Sequence, residues 1–164
     1  MLAKQGLRVL GHPVHVALVH FPIALLSVGP LWDLVAIWLG AAWWRFGFWT
    51  LTLGLAASLP TAASGLLDYM TLDRKDAERT AERHLYVILA ALGSFGMALV
   101  VRGGIVPASP GAQFATLALE VVGVLTLTAG AWLGGELVLR YGIGRVEGSS
   151  PGTGRGATAS DRTR

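Results

Sequence analysis

Four apolar runs, joined by short polar or glycine- and proline-rich connections, constrain what this chain can fold into more than any other feature. They cover about residues 16–40, 46–69, 84–102 and 114–139. At 1.5 Å per residue, a helix of about twenty residues crosses a hydrocarbon core of roughly 30 Å. Inside that core every backbone amide must be bonded within the protein, which leaves helices as the structure for continuous apolar runs. Asp, Glu, Lys and Arg together make up only 14% of the 164 residues, against about 25% in soluble domains. The expected fold is all-α, a membrane four-helix up-down bundle occupying residues 1–146 as one domain. Residues 147–164 are Gly, Ser, Thr, Pro, Ala and Arg with no apolar period, so a disordered C-terminal tail is expected.

Four crossings place both termini on one side of the membrane. Lys4, Arg8, Arg74, Lys75, Arg79, Arg83, Arg140, Arg145 and the tail arginines fall on that side, and only Arg45 and Arg102 fall opposite. The positive-inside rule makes the terminus side cytoplasmic. The first run is too long for a signal-peptide core and is not followed by a small-residue cleavage pattern, so it is read as a retained anchor. Trp38, Trp43, Trp44 and Trp49 form an aromatic belt at the far face. The basic residues follow this orientation and make no nucleic-acid footprint.

Two local readings remain open at the first helix. Either Pro13 occupies the first helical position and Pro22 kinks the helix, or the helix begins near His20 with Pro22 in its first turn. Residues 71–83 are expected to form a solvated helical turn with Asp73 as its N-cap, and 102–111 a turn on the far face.

The topology gathers His12, His15, His20, Asp68, His84 and Glu136 at the cytoplasmic end of the bundle, and Asp33 and Glu120 toward the other end. Ionisable groups inside a membrane are costly and point to function. The leading reading is a b-type haem with His20 and His84 as axial ligands, which requires two imidazoles at similar depth on different helices. In that reading Gly65 or Gly134 lets the macrocycle approach, and Arg79 or Arg83 meets its propionates. A second reading takes His12, His15, His20, His84 and Asp68 as nitrogen and oxygen ligands of a transition metal such as zinc, copper or iron. In a third, structural reading the same groups cap and pair helix ends, with Asp68 as a hydrogen-bond acceptor. Asp33 and Glu120 admit a paired or protonated arrangement.

Other chemistry has little support. The chain has no cysteine, which excludes disulfides, thiolate zinc sites, Cys-held iron-sulfur clusters and covalent haem attachment. No nucleophile and base motif occurs, and Gly142-Ile143-Gly144 lacks the third glycine of a phosphate-binding loop. A hydrolase or transferase is therefore disfavoured, and electron transfer is the one activity retained.

Several segments together resemble a known family. These are His12-Pro13-Val14-His15, Leu18-Val19-His20-Phe21-Pro22-Ile23-Ala24, Gly65-Leu66-Leu67-Asp68-Tyr69, His84, Gly134-Gly135-Glu136-Leu137-Val138 and Tyr141-Gly142-Ile143-Gly144. In order and spacing they resemble the bacterial membrane family of domain of unknown function 2231, over nearly all of residues 11–146. The resemblance implies a four-helix protein of the bacterial inner membrane. It also implies, by analogy with relatives fused to Rieske-type iron-sulfur domains, an electron-transfer setting and a Rieske-type protein as redox partner. No residue here could hold that cluster.

Overall fold

The computed structural model describes residues 7–10, 12–107 and 109–144. The expected tail falls outside them. A two-residue antiparallel ladder, β1 (Arg8–Val9) on β2 (His12–Pro13), precedes α1 (Val14–Leu18), α2 (His20–Leu39), α3 (Ala42–Met70), α4 (Lys75–Arg102) and α5 (Pro110–Leu139). Apart from that ladder the regular structure of the described residues is all-α, and α2 to α5 form a four-helix membrane bundle.

Local chemistry explains where the helices break. A short α1 starts at Val14 directly after Pro13, and the long α2 starts at His20 with Pro22 as its third residue, in the first turn, where proline is tolerated. Gly40 and Gly103, with φ of 94° and 71°, end α2 and α4 in conformations that suit glycine. The fourth long helix starts earlier than its apolar run. Pro110 takes the first helical position, and the Ser109 hydroxyl caps it by accepting the Ala112 N–H at 3.2 Å. The polar stretch before His84 is continuous with the membrane helix as the first turns of α4. Its N-cap is Arg74, which makes no side-chain capping bond, so the expected capping by Asp73 is not made.

The helices pack as two hairpins. α2 lies mostly on α3 and α4 mostly on α5, with thinner seams of similar extent between α3 and α4 and between α2 and α5. The two hairpins are repeats. Pro22, Leu26, Gly29 and Asp33 are the buried positions of α2 up to residue 33, and Ala91, Phe95, Ala98 and Arg102, each 69 residues further on, are buried in α4. Gly47, Leu51, Gly54, Ser58 and Thr61 of α3 have the same relation to Thr116, Glu120, Gly123, Leu127 and Gly130 of α5. The contacts repeat as well. Gly54 admits the Leu26 side chain and Gly123 the Phe95 ring, each so close that an added Cβ would meet it at 2.8 Å.

Both hairpins start at the same end, so the pseudo-twofold axis relating them runs along the bundle, as in parallel transporter repeats. Asp33 and Arg102 occupy equivalent positions and touch each other, which a twofold arrangement permits only beside the axis. Leu26, Leu51, Ala91, Phe95 and Leu127 fill the central layer. Little of each span is buried, between 17% and 28% of its most apolar window. The outward faces are apolar and match lipid as solvent.

Candidate functional site

The repeat brings His15 and His84 into equivalent positions at the terminus end of the bundle. The Nδ1 of His15 lies 3.0 Å from the Thr61 carbonyl oxygen, and the Nδ1 of His84 lies 2.9 Å from that of Gly130. A carbonyl only accepts, so Nδ1 carries the proton in each neutral ring and Nε2 keeps the lone pair. A glycine backs each ring. An added Cβ at Gly65 would sit 2.8 Å from His15 Cε1, and one at Gly134 would sit 3.1 Å from His84 Cε1. The glycines therefore make room for the imidazoles, one helical turn beyond the carbonyls that orient them.

Both rings line one cavity of about 510 Å³, bounded also by His20, Leu26, Gly65, Asp68, Ile88 and Gly134 among mainly apolar neighbours. Cavities of this size, about 300–1,000 Å³, hold cofactor-sized molecules. His20 lines it as well but is exposed, and it lies one turn beyond His15 with Leu89 as its equivalent in α4. The remaining expected residues are placed elsewhere. Arg79 and Arg83 are exposed on the polar turns of α4 and do not line the cavity. His12 is exposed in β2, with Nδ1 at 3.0 Å from the Leu10 carbonyl oxygen. Asp68 lines the cavity and accepts the Leu7 N–H at 2.9 Å, tying down the N-terminal segment. Glu136 pairs with Arg140 at 2.8 Å along the same helix. Among the described residues no three His, Asp or Glu side chains are gathered closely enough to hold a metal ion.

A second constellation lies toward the other end, wholly inside the bundle. Asp33, Arg102, Thr116 and Glu120 are all fully buried. Arg102 donates through Nη2 to Asp33 Oδ2, and its guanidinium stands 5.1 Å from the centre of the Trp44 ring. Trp44 is itself buried, so it is no part of an interfacial belt. Gly47 is needed here because a Cβ on it would land inside the Asp33 carboxylate. Gly47→Ala should therefore lower stability by about 1–3 kcal/mol, the usual cost of overpacking. Gly93, whose added Cβ would meet nothing within 4 Å, should gain roughly 0.4–1 kcal/mol as Gly93→Ala. Equal melting temperatures for the two variants would contradict the packing.

The sequence signature of the predicted membrane protein family DUF2231 spans residues 11–147, from the histidine-rich entry through the end of α5. The chain belongs to that family. Neither the curated proteins nor the solved structures contain a match to it. Within this DUF2231 chain, sequence reasoning singled out His15, His84, Gly65, Gly134, Asp33 and Glu120. It missed Arg102, read as a far-face loop charge, and the equivalence of His15 and His84 in the two hairpins. The signal for both was a recurrence after 69 positions, of histidine at 15 and 84, of glycine at 54 and 123 and at 65 and 134, and of a charged residue at 33 and 102.

Proposed function

We propose that this protein is a membrane electron-transfer component that holds a b-type haem between its two hairpins, with His15 and His84 as the axial pair. The observation that carries the reading is the equivalence of two imidazoles, each fixed through Nδ1 to the carbonyl of a neighbouring helix, on the wall of one apolar cavity. Such second-shell bonds fix the tautomer and raise the basicity of the ligating nitrogen. A haem needs only two ligands from the protein, because the porphyrin supplies the other four, whereas a bare zinc or copper ion needs three or four. Two oriented histidines, with no three His, Asp or Glu side chains gathered to hold a metal ion among the described residues, favour the former. When bound, the iron would supply one-electron chemistry, and the chain's residues would set its ligation and exclude water from it.

His20, expected from the sequence as the partner of His84, stands at the exposed side of the same cavity, and its replacement separates the two pairings. The test is the haem content and visible spectrum of the purified protein and of its single histidine variants. A Rieske-type protein remains the proposed class of redox partner, by family analogy alone.

The orientation belongs to the same proposal. The burial of Arg102 in an ion pair leaves Arg45 as the exposed basic residue at the far end among the described residues, which strengthens the bias that puts both termini in the cytoplasm of a bacterial inner membrane. The lack of native cysteine makes this simple to test. On intact spheroplasts an impermeant maleimide should label Ala41→Cys, between α2 and α3, and should spare Asp73→Cys, before α4. The reverse pattern would contradict the orientation.

A further inference from the structure

We propose that Asp33 and Glu120 form an exchangeable proton-binding site, in which one proton is held between the two carboxyls and Arg102 is the fixed positive charge. The site is built from all four long helices. Asp33 comes from α2, Trp44 and Gly47 from α3, Arg102 from α4, and Thr116 and Glu120 from α5. Its charged members are one guanidinium and two carboxyls, each with zero exposure.

Hydrogen bonding identifies the ligand. Arg102 is engaged with Asp33 Oδ2, while Asp33 Oδ1 and both oxygens of Glu120 find no donor among the described residues. The group that Glu120 does face is the Asp33 carboxyl. Two carboxylates cannot bond to each other, because each only accepts; with one proton added, the carboxyl O–H donates to its neighbour. The same proton balances charge. Guanidinium, carboxylate and neutral carboxyl sum to zero, whereas two carboxylates would leave a net negative charge with no exposure to solvent. No other cation fits as simply, since the free Arg102 Nε and Nη1 would repel a metal ion.

Exchange follows from place. Arg102 is the last residue of α4 and is followed by the Gly103 turn, so the cluster lies under the connections at its end of the bundle. The proton would be taken from water on that side by the Glu120 carboxylate and returned there, with no other bond made or broken. This site is independent of the haem proposal, since the cavity at the histidine end includes none of these residues.

The deciding experiment is difference infrared spectroscopy on the full chain in nanodiscs at neutral pH. The carbonyl stretch of a protonated carboxylic acid should be present, should shift on transfer to D2O, and should vanish in Glu120→Gln. The isosteric amide should leave the helical content and melting behaviour close to wild type. If the Gln variant fails to fold, the wild-type band and its deuterium shift still decide the matter. Absence of a protonated-carboxyl band in the wild type would overturn the proposal. So would a band that persists unchanged in a folded Glu120→Gln protein, or one that never exchanges in D2O.

Discussion

Arg102→Leu alone should destabilise the protein by about 3–5 kcal/mol, the range for breaking a buried ion pair by removing one partner. The loss is large because Asp33 has no exposure and Arg102 is the donor to its side chain among the described residues. Asp33→Leu should cost a similar amount, this time by leaving the guanidinium in the bundle without the carboxylate to which it donates. The double variant Asp33→Leu, Arg102→Leu should recover most of the loss. A matched apolar pair needs no desolvation to be compensated, and replacing a whole buried pair is often neutral or stabilising. Equilibrium unfolding in mixed micelles measures all three. A double variant no more stable than the singles would mean that the pair does not act as a unit.

The second large effect concerns the histidine end. Alanine at His15 or at His84 should each remove nearly all bound haem, because in the proposed site each supplies one of the two protein ligands, and His20, the other histidine lining the cavity, stands at its exposed side. His12→Ala and His20→Ala should retain it. The supporting contacts carry smaller effects in the same direction. Gly65→Ala would press a methyl onto His15, where the clearance to Cε1 is 2.8 Å, and drive the ring from the Thr61 carbonyl. Loss of such an orienting bond typically weakens binding about 10–100-fold. Gly134→Ala should act on His84 in the same way but more mildly, with 3.1 Å of clearance. Haem titration of purified variants checks the series. Retention of haem by His15→Ala with its loss in His20→Ala would move the axial pair back to His20 and His84.

The crossings were legible in the sequence because a bilayer selects for composition over about twenty residues, a property that needs no tertiary information. The ends of the helices were less so. Pro110 reads as a loop residue by its neighbours Pro107 and Gly111, yet proline also suits the first helical position, and only the cap at Ser109 distinguishes the two. Trp44 and Arg102 were misplaced for a related reason. An aromatic or a cation near a membrane boundary reads as interfacial, and their burial depends on Asp33, a residue from another helix. The equivalence of His15 and His84 was present in the spacing from the start. It was hidden because the repeat has diverged at most positions, with Asp33 facing its own equivalent as an arginine and Leu51 replaced by Glu120. What is retained is the pattern of burial and close approach, which becomes visible only with the packing in hand.

The central claim is tested most directly by one absorption spectrum of the wild-type protein, purified in mild detergent from haem-replete cells. The proposal predicts a Soret band with sharp low-spin bands on reduction, as two imidazole ligands produce, and haem in amounts approaching one per chain. A folded, colourless preparation that also fails to take up added haem would contradict it.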